Sequence, residues 1–212
     1  MNENAAQLDA EELLHFAIRA SQNKQHEKAI LYLKHALTQE PDNAKLHYFL
    51  GAQHAEIGLY DRAVEEMSRA VTLDPALDTA HFQLGLLHAT AARIPEAEQA
   101  WQPLDKLGEQ HPLYLFKTGL LQLTRDEFED AAASLRKGME LNQQNPNLNQ
   151  DMARVLNNIE QILEQQPAND SQTDVPKTSD DETQQKQKES TGGNHIFLSA
   201  YNKDNEDDDT KH

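Results

Sequence analysis

Cysteine is absent from this chain of 212 residues, and glycine and proline occur only eight times each. Without cysteine there is no disulfide framework, no thiolate metal site and no cysteine nucleophile. So few turn-forming residues argue against a turn-rich β-sandwich and favour helices. Basic residues are also a minority, with 19 Lys and Arg against 36 Asp and Glu, a net charge of −17 at pH 7. A chain this acidic repels polyanions, so we expect no nucleic-acid partner.

Long apolar runs are missing as well. Nowhere do eighteen apolar residues follow one another, so the sequence predicts no membrane-spanning helix and no membrane insertion. The segment Met1–Asp9 has neither the basic start nor the apolar stretch of a secretory signal. Together with the lack of cysteine, this absence predicts a cytoplasmic protein.

The chain does have a repeat of 34 residues, marked by small side chains. The recurring alanines and glycines are Ala29, Ala63, Ala97 and Ala131, and Gly51, Gly85 and Gly119. Apolar residues between these markers recur at spacings of three and four, which is typical of helices that bury one face. A small residue is needed wherever two helices cross closely. Each unit is therefore predicted to be a helix, a short turn and an antiparallel helix.

These residues resemble the tetratricopeptide repeat, which has the same period. With position 1 of each unit at residues 10, 44, 78 and 112, the second unit supplies His47, Leu50, Gly51, His54, Ala63, Met67, Ala70 and Pro75. The first unit is a weaker match, with Ala17 for the glycine and Ala20 for an aromatic residue. The resemblance covers residues 10–165 and implies an all-α fold, a right-handed α-solenoid of about four helix-turn-helix units.

Two features modify the end of this predicted solenoid. Pro103 stands inside the second helix of the third unit, where it removes a backbone hydrogen bond and predicts a kink with a wider gap before the fourth unit. Residues 147–165 carry one apolar stripe with polar residues opposite, which predicts a capping helix. The alternative is that this helix binds a partner.

The composition changes after the capping helix. In residues 167–212 there are eleven Asp and Glu against five Lys, and few apolar side chains. We therefore predict that residues 166–212 form a disordered acidic tail. One apolar segment, residues 195–201, interrupts it and contains Ile196, Phe197, Leu198 and Tyr201. It is either a short docking motif or a chance cluster.

The resemblance also implies a binding surface, because first helices line the inner groove of such solenoids. The residues at groove-lining positions are Leu14, Ile18, Tyr48, Ala52, Phe82, Leu86, Phe116, Leu120, Leu123 and Arg154. This set predicts an exposed apolar trough that binds an apolar peptide or helix of another protein, as in an adaptor, a scaffold or a chaperone-like protein. The tail motif is a candidate competitor for the trough. Tighter packing that covers these residues is the alternative.

No sequence motif indicates catalytic activity. Four histidines recur in register, His47 with His81 and His54 with His88, and they are interpreted as packed rings, as a pH-sensitive interface or as a metal bridge. The sequence contains no phosphate-binding glycine loop, zinc-protease motif or nucleophile elbow. We expect no enzyme activity, no cofactor and no metal. A second function remains open: a regulatory or structural subunit of a larger enzyme complex that works through its outer face or tail. The sequence leaves the oligomeric state open.

Overall fold

The computed structural model describes residues 8–165, and within that range all regular structure is helical. The chain forms two compact units, one up to Gly108 and one from Glu109 onward. We call them unit 1 and unit 2, and we describe each by itself. The predictions for the tail, residues 166–212 with the motif 195–201, lie outside the described residues.

Between residues 8 and 108, unit 1 contains six helices and a short 3-10 segment. The helices are α1 (Ala10–Gln22), α2 (His26–Gln39), α3 (Ala44–Glu56), α4 (Tyr60–Leu73), α5 (Asp78–Thr90) and α6 (Ile94–Trp101). The helix α1 packs on α2, α3 on α4 and α5 on α6, while contacts of α2 with α3 and of α4 with α5 join the pairs. The all-α prediction and the predicted helix pairs are confirmed.

The turns within the helix pairs share a left-handed backbone conformation that the sequence pattern does not predict. Lys24, Gly58 and Ala92 in unit 1 have φ angles of 56°, 75° and 57°, and Asp126 in unit 2 has 60°. These residues are 34 apart, so the left-handed turn belongs to the repeat. Only Gly58 is the residue that this conformation favours, because a Cβ costs about 1–2 kcal/mol there.

The α-helical geometry ends just before Pro103, where the sequence predicts a kink, while the wider gap before the fourth unit stays a prediction. The helix α6 ends at Trp101, and the chain continues as a 3-10 helix from Gln102 to Leu107. Proline lacks an N–H, and 3-10 pairing takes the Leu104 N–H to the Trp101 carbonyl, so the Ala100 carbonyl loses its intrahelical donor. The ring of His81 compensates, because its Nδ1 lies 3.2 Å from the Ala100 oxygen.

Unit 2 contains three described helices, α7 (Pro112–Leu123), α8 (Phe128–Leu141) and α9 (Pro146–Gln165). His111 caps α7, since its Nδ1 accepts a hydrogen bond from the Leu113 N–H at 3.2 Å. The helix α8 packs against both α7 and α9. One face of α9 is buried and consists of Leu148, Met152, Val155, Leu156 and Ile159. This one-sided burial is what a capping helix requires.

Candidate functional site

The first helices of unit 1 lie side by side. The Gln53 amide on α3 donates a hydrogen bond to the Ser21 hydroxyl on α1 at 2.9 Å. The Thr79 side chain on α5 lies near the Tyr48 hydroxyl on α3 and acts to lower its pKa. We call the surface formed by Leu14, Ile18, Tyr48, Ala52, Ala55, Phe82 and Leu86 the first-helix face. Leu14 and Ile18 belong to the apolar cluster of α1 and α2, whereas Tyr48, Ala52 and Ala55 pack against the cluster that contains Ala63 and Met67.

Only part of the first-helix face is accessible. Ile18, Tyr48, Ala52 and Ala55 are partly exposed, whereas Leu14 is 7 % exposed. Burial raises the pKa of Tyr48, and Thr79 opposes this shift. The phenol therefore stays protonated near neutral pH, and its ring lies edge-on to Phe49 with 5.2 Å between the centroids. The accessible surface is small, apolar and uncharged.

The expected exposure of the groove is wrong at Phe82 and Leu86. Phe82 is 1 % exposed, and its ring stacks on Trp101 of α6 with centroids 6.2 Å apart. The Trp101 indole N–H donates to the Phe82 carbonyl at 2.9 Å, which fixes both residues. Leu86 is buried as well. Both side chains belong to the core of unit 1, and their role in partner binding stays a prediction.

The same correction applies to the predicted groove residues of unit 2. Phe116, Leu120 and Leu123 of α7 are fully buried. The ring of Phe116 lies where α8 carries a glycine, because a Cβ at Gly138 would come within 2.6 Å of its Cδ1. Arg154 on α9 is half-exposed and faces Asp151 at 3.6 Å. Of the unit 2 residues that the sequence assigned to the groove, Arg154 alone has a largely accessible side chain.

Comparison with known proteins agrees with this architecture. A family model described as a tetratricopeptide repeat matches residues 20–75. Residues 20–75 therefore contain tetratricopeptide repeat sequence. No curated protein sequence matches it. Among solved structures, a crystal structure of MamA is similar at 20% identity and a TM-score of 0.53, over 64% of this chain and 79% of that one.

Two further solved structures contain such repeats and have a similarly low sequence identity to this chain. MamA from Desulfovibrio magneticus RS-1, residues 41 to the end, has 16% identity and a TM-score of 0.53, over 75% of this chain and 97% of its own. YrrB, described as a TPR protein with an unusual peptide-binding site, has 16% identity and a TM-score of 0.52, over 74% of this chain and 78% of its own. At these identities the likeness shows the fold, and tetratricopeptide repeats are protein-interaction modules.

Two of the four histidines in register, His47 and His81, occupy position 4 of their repeats. His47 Nε2 lies 2.9 Å from the Pro41 carbonyl, and its Nδ1 lies 2.6 Å from a Glu66 carboxylate oxygen. His81 makes the equivalent contact with the Pro75 carbonyl at 3.3 Å. In unit 2 the same position holds Asn149, which donates to the Asn142 carbonyl at 3.0 Å. At His47, His81 and Asn149, a polar side chain at position 4 therefore contacts the loop that precedes its helix, whereas the first and fourth repeats carry Leu13 and Leu115 there.

Position 11 holds the other two histidines, and burial lowers the pKa of both. For His54, the cations Lys34 and Arg62 add to the lowering and Glu66 opposes it. For His88, Arg93 adds to the lowering and Glu96 opposes it. The Nδ1 atoms of both rings are buried without a hydrogen-bond partner. These rings fill space as neutral side chains. Between residues 8 and 165, no three His, Asp or Glu side chains come together as a metal site would require.

Acidification to pH 5.5 is expected to lower the stability of the wild-type chain more than that of the H54Q/H88Q variant. A histidine with a lowered folded-state pKa stabilises fully above the unfolded value near 6.5, and this contribution is lost as the pH falls below it. Urea unfolding at pH 7.5 and 5.5, followed by circular dichroism, measures the difference.

Glutamine is a compatible replacement, because Gln122 occupies position 11 in the fourth repeat. The control is H15Q, at an exposed histidine of α1. It should lose as much stability as the wild type between the two pH values. Equal losses in H54Q/H88Q and the wild type would contradict the expectation.

The helices of residues 8–165 are not membrane spans, since none of them has both the length and the apolar character to cross a bilayer.

Proposed function

We propose that the first-helix face of unit 1 binds an apolar segment of another protein, a short amphipathic helix or an extended peptide. The observation that carries this proposal is the partly exposed row of Ile18, Tyr48, Ala52 and Ala55 on adjacent first helices. Two alanines and a flat ring leave room for a partner backbone or side chain. Gln53 links neighbouring helices of the row, so little ordering is needed on binding.

The chemistry of the face favours an apolar ligand. Tyr48 carries no charge near neutral pH, and Thr79 lies near its hydroxyl. Burial of roughly 200 Å² of apolar surface at about 25 cal/mol per Å² contributes on the order of 5 kcal/mol before association costs. Since association costs oppose this gain, a single peptide would bind weakly, with a dissociation constant of about 1 mM or higher. The peptide-binding site described for YrrB supports this assignment by analogy of fold.

The partner should be lost when the face is blocked by the substitution A52R. Arginine adds bulk and charge in the middle of the row, while its flexible stem reaches solvent and leaves the core in place. The matched control is A133R, which makes the same change at an exposed alanine of α8. Affinity capture from extracts of the native host, with both variants and the wild type, should show at least a tenfold loss for A52R alone.

If the A52R variant still binds the partner, the first-helix face is not the binding surface. This result would support the second candidate, a regulatory or structural subunit that works through an outer face or the tail. Loss of the partner in both variants would indicate a general defect, and circular dichroism of each variant identifies that case.

The tail motif at residues 195–201 is the proposed competitor for the same face. About 30 residues link the end of α9 to Ile196, and a flexible chain of that length spans roughly 30 Å. The full chain with F197S/L198S should then recover more partner than the wild type in the same capture experiment. An unchanged recovery would remove the tail from this role.

A further inference from the structure

The first helix pair of unit 1, α1 with α2, exposes large apolar side chains at positions that are buried or polar in other repeats. At position 7, Leu50 and Leu84 are 2 % and 7 % exposed, whereas Phe16 is 42 % exposed. In the second and third repeats, the side chain at position 7 is covered by the repeat that precedes it. The first described repeat has no described neighbour on that side.

Tyr32 of α2 contacts Phe16, and the exposed Leu31 precedes Tyr32 in the same helix. The ring of Tyr32 lies 5.7 Å from the ring of Phe16, and Leu31 beside it is 66 % exposed, the highest value among the large exposed apolar residues between 8 and 165. The other repeats carry Glu65, Gln99 and Ala133 at the position of Leu31. An exposed leucine is therefore not a requirement of the repeat. We call Phe16, Leu31 and Tyr32 the end patch.

The charges beside the end patch are arranged for self-association. Glu12 and Arg19 lie on the same face of α1 as Phe16, one turn before it and one turn after it, and both are at least partly exposed. When two copies of α1 cross antiparallel about a two-fold axis at Phe16, Glu12 of each copy faces Arg19 of the other. An isologous interface needs this self-complementarity. Opposite charges also fix its register.

We propose that the end patch joins two copies of this chain in a symmetric dimer, with Phe16, Leu31 and Tyr32 at its centre and two Glu12–Arg19 pairs at its rim. The patch is small beside the roughly 800 Å² per partner of a stable interface, so the dimer is weak. We expect a dissociation constant between about 10 and 500 μM, which corresponds to a transient association. The dimer leaves the first-helix face to a different partner.

Sedimentation velocity of the full chain between about 1 and 500 μM tests the dimer. The wild type should shift from monomer towards dimer with concentration, and F16S/L31S should remain monomeric throughout. The control L141S removes an exposed leucine of α8 and should behave as the wild type. A wild type that stays monomeric, or an F16S/L31S variant that still dimerises, overturns the proposal.

Charge reversal tests the geometry. E12R and R19E should each weaken dimerisation at least tenfold, because like charges then meet at both rim contacts. An equimolar mixture of the two variants should form heterodimers with wild-type affinity, since every rim contact again joins opposite charges. E12R also removes a capping-box contact with the Asp9 N–H, so circular dichroism must first show that α1 is intact. Absence of heterodimers from the mixture of folded variants overturns the antiparallel arrangement.

Discussion

Gly85→Ala is expected to lower the free energy of unfolding by about 3 kcal/mol or more, because it inserts a methyl group into space that Trp101 fills. A Cβ at Gly85 would overlap the five-membered ring of the indole, including Nε1. That nitrogen donates to the Phe82 carbonyl at 2.9 Å, and the Trp101 side chain is fully buried. Relief of the overlap must move the ring, break this hydrogen bond and disturb the stacking on Phe82.

Gly51→Ala is the matched control, since Gly51 holds the same position in the preceding repeat. Its Cβ would meet Met67 Cγ at 3.1 Å and the Ala63 carbonyl oxygen at 3.2 Å. The flexible methionine gives way easily, and alanine gains about 1 kcal/mol in helix propensity over glycine. We therefore expect Gly51→Ala to stay within about 1 kcal/mol of the wild type.

Urea unfolding by circular dichroism measures both variants, and fluorescence adds a local signal because Trp101 is the single tryptophan of the chain. The folded G85A variant should emit at longer wavelength than the wild type if the indole leaves its buried position. Equal stability of G85A and G51A would show that the space around Trp101 adapts freely.

The sequence correctly predicted those features of the fold that depend on a single chain segment. The 34-residue period located the helix pairs, and Pro103 marked the region where α6 is followed by a 3-10 helix. Both features depend on local geometry that a residue type imposes on its own helix. The single-faced stripe of α9 predicted its one-sided burial for the same reason. Period and stripe are properties of one chain segment, and each can be recognised from that segment alone.

The solvent exposure of the predicted groove residues could not be predicted from one chain segment alone. The sequence placed Tyr48, Phe82 and Phe116 at equivalent positions of an exposed trough, with tighter packing as the alternative, yet only Tyr48 is partly exposed. Phe82 packs on a tryptophan that replaces the Met67 of the previous repeat. Such differences depend on which side chain a second helix presents, and a shared position number does not contain that information. The left-handed turn at Lys24 and Ala92 was missed because neither residue type favours it.

Gly138→Ala is expected to destabilise unit 2 by about 1–2 kcal/mol, although alanine is the usual residue at this position of the repeat. Ala36 and Ala70 occupy it in the first two repeats and are fully buried there. In α8 the Cβ would lie 2.6 Å from both Cδ1 and Cε1 of Phe116 and 3.3 Å from the Leu115 Cβ. The fixed aromatic ring cannot yield as a flexible side chain can, so the clash exceeds the gain in helix propensity of about 1 kcal/mol.

A double-mutant cycle with Phe116→Leu tests whether the glycine exists for the ring. Phe116→Leu alone should cost about 1 kcal/mol, because a buried ring is replaced by a smaller apolar side chain. In that background Gly138→Ala should become neutral or stabilising, which gives a coupling energy of at least about 1 kcal/mol between the two positions. Additive effects in urea unfolding would contradict the packing. A measured coupling would show that Gly138 and Phe116 form one core contact of unit 2, and that a consensus substitution at a single repeat position cannot be judged without the residue on the facing helix.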